Sequence, residues 1–168
     1  MDELEKHTAL VLAAWLRSVH TQGAIFSGLL LVVATVAMAL GATTLLHGGA
    51  LNPLVTPSAL PWSMALFVGQ LVVLMPAERV LCLRLQLDAQ LFNALGQGRY
   101  GLGDVDQSLL RIGLRPAQAA TRSLGSRIAG TQRLVRLYAG VLAGQLVLAL
   151  GTCALAAYSV FCFLRAMP

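Results

Sequence analysis

The run GAIFSGLLLVVATVAMALGATTLL, residues 23–46, is 24 residues long and holds no Asp, Glu, Lys or Arg. A helix of that length covers roughly 36 Å at 1.5 Å per residue, more than the roughly 30 Å of hydrocarbon in a bilayer. The run lies inside a longer charge-free tract, Ser18 to Ala77, and a second such tract runs from Leu137 to Leu164. A soluble domain spreads charge over its exposed faces, whereas each charge at the centre of a membrane helix costs roughly 2.5 to 3.5 kcal/mol on insertion scales. The two tracts therefore identify the solvent as lipid.

Outward from residues 23–46, the chain divides in both directions. Residues 1–22 open with Asp2, Glu3 and Glu5, which suit a helix N-terminus, and place Leu4, Val11, Trp15 and Val19 on one side. This pattern predicts an amphipathic interfacial helix with Trp15 as its anchor. Ala37-Met38-Ala39 has the small-x-small form of a signal-peptide cleavage site. The preceding region is long and acidic, however, and the apolar run continues past it, so the span is expected to be retained. His47 to Ser58, with Asn52, Pro53 and Pro57, reads as a short uncharged loop. Residues 60–77 form a second span that Pro76 is expected to kink or end, with Glu78 and Arg79 meeting the headgroups. Residues 137–164 form the third, which at 28 residues is long enough to require tilt.

Composition agrees, since 57% of the 168 residues are hydrophobic and 11% charged, a balance of integral membrane proteins. Cys82, Cys153 and Cys162 form no C-x-x-C pair and read as packing residues, so neither a disulfide framework nor a zinc site is expected.

Between spans 2 and 3 lies a basic segment, residues 78–136. Its nine arginines against Glu78, Asp88, Asp104 and Asp106 leave an excess of five, the net charge of the whole chain. The far side offers only Arg165, so the positive-inside rule places the N-terminus and this segment in the cytoplasm and the C-terminus outside. Within the segment, Val80 to Leu95 reads as a helix. Arg79, Gln86, Gln90, Asn93 and Gln97 make its polar stripe, and Val80, Leu83, Leu87 and Leu91 lie away from it. Asp104 followed by Gln107 reads as a capping box for a short helix that stops near Gly113, and another helix from Ala117 runs into span 3. The expected fold is all-α: an integral membrane protein with three transmembrane helices, an N-terminal amphipathic helix and a cytoplasmic helical hairpin between spans 2 and 3.

Several residues invite a functional reading. Gly96-Gln97-Gly98-Arg99-Tyr100-Gly101 fits the letters G-x-G-x-x-G, but it follows a helix and lacks a βαβ setting, so an interhelical turn is expected instead of a nucleotide site. Arg79, Arg84, Arg122, Arg127, Arg133 and Arg136 are candidates for contact with anionic headgroups, with an acidic protein face as the second reading. Their wide spacing and scant aromatic interleaving argue against nucleic acid. Gly140, Gly144 and Gly151 on span 3, with Ala65 and Gly69 on span 2, are small residues that let helices approach within the monomer or between copies. Gln70 lies nine residues before Arg79 and Gln145 nine after Arg136, a matched depth that predicts a hydrogen bond between the two amides.

No Asp, Glu, Lys or Arg lies deep in a span as drawn, and His7, His20 and His47 are too dispersed to share a metal. Neither a G-x-S-x-G elbow nor an H-E-x-x-H is present. No cofactor and no catalytic site are expected. The sequence leads to a small inner-membrane protein that acts as a non-enzymatic accessory or scaffold subunit, with lipid and a membrane-protein partner or a second copy as its contacts. A holin-like permeabilising protein and an immunity-type protein are the alternatives.

Overall fold

The computed structural model describes residues 3–48, 59–111 and 123–166. It is helical, with no strand among the described residues: α1 (Glu3–Gly48), α2 (Ala59–Gly69), a π turn (Gln70–Leu74), α3 (Met75–Gly96), α4 (Leu102–Arg111) and α5 (Leu124–Ala166). Of the loop expected from His47 to Ser58, His47 and Gly48 instead close α1, because the helix runs on past the apolar tract; the rest of that loop, the helix stop near Gly113, the start at Ala117 and Arg122 fall outside the described residues. Three helical stretches are long and apolar enough to cross a membrane: Glu3–Thr43, Pro61–Gly96 and Leu124–Cys162. The protein is therefore a multi-pass membrane protein. Residues 3–22 are helical as expected and continue without interruption into the first span.

The chain packs as two units, Met1–Gln22 with Val80–Ala139, and Gly23–Arg79 with Gly140–Pro168. Their interiors are built from opposite residue types. The first buries Leu16, Leu85, Phe92, Leu95 and Tyr138, with Ala9, Ala13 and Ala89 between them. An apolar interior of this kind is one that water itself drives together, by the burial of apolar surface. Among the described residues the second buries Ser27, Ser63, Gln70, Glu78, Gln145, Thr152 and Ser159, with Ala34, Ala149 and Ala156 as apolar company. Its large side chains point outward, among them Leu29, Val33, Val36 and Leu40 of α1, Val72 and Val73 of the π turn, and Val147 and Leu150 of α5. Such a surface is prohibitive in water and costs nothing in lipid tails, where helices associate instead through small residues and polar contacts.

On α5 the buried positions Leu124, Thr131, Tyr138, Gln145, Thr152 and Ser159 recur every seven residues, the repeat that keeps one seam of a helix against its neighbours. In the second span Ser63 and Gln70 are seven apart, as are Glu78, Leu85 and Phe92, but Gln70 and Glu78 are eight apart. The π turn between them absorbs the extra residue, closed by the Met75 N–H to the Gln70 carbonyl. Pro76 follows directly; it has no N–H to return to the carbonyl four residues back, so the α-helical ladder is already broken there. The helix does not end at Pro76. It is locally unwound and continues to Gly96 with its buried face restored.

Contacts across the second unit carry the same register. A Cβ added at Gly144 would lie 3.5 Å from Leu74 Cδ1, and one at Gly151 would lie 3.1 Å from Leu66 Cδ1. Seven residues forward on α5 thus match eight back along α2 and the π turn, as antiparallel helices with one inserted residue require.

Candidate functional site

Glu78 was expected among the headgroups beside Arg79; Arg79 is exposed, but Glu78 is only 1% exposed. Its carboxylate therefore faces neighbouring helices instead of standing free beside Arg79. The heptad face explains the difference: once the π turn rotates α3, position 78 faces inward and position 79 outward. Glu78 Oε2 accepts a hydrogen bond from Ser27 Oγ of α1 at 2.5 Å and another from Gln145 Nε2 of α5 at 2.9 Å. One carboxylate oxygen thus ties three helices. Hydrogen bonds to charged groups contribute about 1.5–3 kcal/mol each, and an uncompensated buried carboxylate would be far more costly than either. No basic side chain among the described residues forms an ion pair with Glu78; Lys6 pairs instead with Glu3, at 2.6 Å on the surface of α1.

The hydrogen bond expected between the Gln70 and Gln145 side-chain amides is absent. Both residues are buried, at 2% and 1% exposure, but each Oε1 lacks a hydrogen-bond partner. Gln145 spends its donor on Glu78 instead, because a carboxylate is the stronger acceptor. The neighbouring hydroxyls behave differently. Thr152 and Ser159 donate to the carbonyls of Leu148 and Leu155 on their own helix, a local solution open to short side chains.

The small residues separate by face. Gly144 and Gly151 receive Leu74 and Leu66 as described, whereas Gly140 is exposed and has open space where a Cβ would stand. Ala65 is exposed, and Gly69 likewise has nothing within 4 Å of an added Cβ. Among the arginines, Arg79, Arg84, Arg133 and Arg136 are exposed and Arg127 is half-buried.

In the first unit, the apolar line Val80, Leu83, Leu87 is exposed, and α3 buries Cys82, Leu85, Ala89 and Phe92 instead. Cys82 Sγ lies 3.6 Å from the Tyr138 hydroxyl, and Thr131 Oγ1 donates to Asp88 at 3.0 Å and to the Arg127 carbonyl at 3.1 Å. These contacts link α3 to α5. A groove of about 440 Å³ lies in this unit, with Leu16 and Ala89 at its base and Arg17, His20, Gln86 and Gln90 around it.

The G-x-G-x-x-G letters have structural roles. Gly98 sits at φ +67° just past α3, with its N–H on the Leu95 carbonyl and the Arg99 N–H on the Ala94 carbonyl, a Schellman closure. Gly96 has the Leu10 side chain pressed against it. The Gly101 N–H donates to Asp104 Oδ2 at 2.9 Å. Asp104 is thus the third residue of α4, reaching back to the residue just ahead of the helix, three places from the capping position expected for it, because α4 starts at Leu102. These amides are committed to closing helices, not to a phosphate.

No family model, curated protein or solved structure matches this chain. The candidate site is therefore defined by its own chemistry. Among the described residues no group of three or more His, Cys, Asp or Glu is placed to hold a metal ion. What the geometry does provide is a buried carboxylate held by one hydroxyl and one amide, with a further amide oxygen left over. Sequence reasoning found Gln70 and Gln145 but missed Glu78. The signal was present in the eight-residue step from Gln70 to Glu78 across Pro76, whose meaning depends on how the helix winds there.

Proposed function

We propose that this protein is a non-enzymatic accessory or scaffold subunit of a bacterial-type inner membrane, with its N-terminus and arginine-bearing middle in the cytoplasm and its C-terminus outside. The observation that carries the reading is the Glu78 clasp. It ties α1, α3 and α5 through their interior and leaves large apolar side chains such as Leu29, Val33, Val72 and Val147 exposed, suited to lipid or to the flank of a larger membrane protein. Polar contacts that fix helix register are the best attested use of buried charge, and a rigid frame is what a scaffold needs. The nine arginines between spans 2 and 3 support the orientation, and the exposed ones have the chemistry to meet anionic headgroups.

The test is extraction of the native protein in a mild detergent followed by mass identification of what stays bound. A stoichiometric membrane-protein partner is the expected result. Recovery of the chain alone as a monomer, with the Glu78 contacts intact, would count against the scaffold role. A reporter active only in the cytoplasm, fused after Pro168, should be silent; activity there would reverse the orientation.

A further inference from the structure

We infer that the Glu78 clasp is a binding site for one small monovalent metal cation of sodium's class. Three observations converge. First, Glu78 is nearly inaccessible and has no basic partner among the described residues, so its charge calls for one positive charge from outside the chain. Second, Gln145 turns its amide nitrogen to that carboxylate and leaves Oε1 buried with no donor. Oε1 and Nε2 share one amide carbon, so the unused acceptor lies within an amide's width of the atom already bonded to Glu78. A buried acceptor without a donor is rare in native proteins and is commonly filled by water or an ion. Third, Ser27 Oγ meets the same carboxylate oxygen from α1, which adds a third oxygen from a third helix.

The donor set selects the ion. Carboxylate, amide and hydroxyl oxygens are hard ligands, and the set includes no sulfur or imidazole to favour zinc or copper. One carboxylate balances one charge. Calcium and magnesium are held by more oxygens and usually by several carboxylates or retained waters, which a nearly closed interior with a single Glu does not supply. The buried Gln70 Oε1, also unpartnered, lies a further seam repeat along the second span and is outside the clasp, which makes it a control position.

This inference goes beyond the scaffold reading and holds or falls whether or not a partner co-purifies. The full chain is placed in phosphatidylcholine nanodiscs in choline chloride, and sodium chloride is substituted at constant ionic strength and pH while thermal unfolding and retention of radioactive sodium are recorded. Saturable binding of one sodium per chain is expected, with a rise in Tm that choline does not produce. Ser27→Ala keeps the carboxylate and the Gln145 amide and should weaken binding about tenfold. Glu78→Gln should abolish it, and Gln70→Leu should leave it unchanged. Should Glu78→Gln fail to fold, the Ser27→Ala and Gln70→Leu pair still decides. Equal stability in sodium and choline, a response to pH with none to sodium, or equal weakening by Ser27→Ala and Gln70→Leu would each overturn the inference.

Discussion

Gly96→Ala tests the packing of the first unit at its tightest point. Gly96 is buried in the last turn of α3, and a Cβ built there would stand 2.6 Å from Leu10 Cγ, 2.9 Å from Leu10 Cδ2 and 3.0 Å from the Lys6 carbonyl oxygen. Carbon atoms rest about 3.5–4.0 Å apart. Leu10 must therefore retreat by about 1 Å. Its Cγ is the branch point of the side chain instead of a free end, and the Lys6 oxygen is backbone, so the first turns of α1 must move with it. Overpacking of this kind costs about 1–3 kcal/mol, while replacing a helical glycine by alanine returns at most about 1 kcal/mol. The net expectation is a loss of about 1–2 kcal/mol, a factor of about 5–30 in the local opening equilibrium. Amide hydrogen exchange of the full chain in detergent micelles should show that acceleration in peptides covering Lys6 to Leu16. Gly130→Ala, where nothing lies within 4 Å of the new Cβ, should not accelerate them. Unchanged or slower exchange in Gly96→Ala would refute the assigned close approach of α1 to α3.

Three further substitutions probe other parts of the structure. Gly98→Ala forces a side chain into the left-handed region at φ +67° and should cost about 1–2 kcal/mol, measured as a lower melting temperature with the spans still helical by circular dichroism. Gly151→Ile drives into Leu66, 3.1 Å from the new Cβ, and should cost about 1–3 kcal/mol in dodecyl sulfate titration of micellar protein, whereas Gly140→Ile should change stability by less than about 0.5 kcal/mol. A large effect at Gly140 would show that its face meets a second copy. Thr131→Val removes the donor to Asp88 and should destabilise the α3–α5 contact by about 1 kcal/mol, with Thr131→Ser close to wild type in the same melt.

The candidate site was only half legible. Gln70 and Gln145 stand out in the sequence because amides are rare in apolar tracts, and both are buried. Their pairing was not legible, since depth alone does not say which acceptor an amide meets. Glu78 was hidden by its neighbour: a Glu-Arg pair after a proline reads as the end of a span when helix winding is taken as uniform. The line Val80, Leu83, Leu87 was misleading for a related reason, because hydrophobic periodicity finds an apolar stripe without saying what covers it. Asp104 shows the same limit at short range, for its role depends on whether α4 starts before or after it.

The amino-acid sequence by itself determined the solvent and the number of spans. Charge is penalised by lipid wherever it falls along a helix, so its absence over long tracts is a property of composition that needs no partner to interpret. Only the tertiary structure decided which residues face inward. In lipid, leucine and valine gain nothing by leaving the surface, so the interior of the second unit is filled by whichever polar and small side chains can meet across three helices. That meeting depends on register, and the register here turns on one inserted residue wound into a π turn before Pro76, which carries Glu78 from the surface to Ser27 and Gln145.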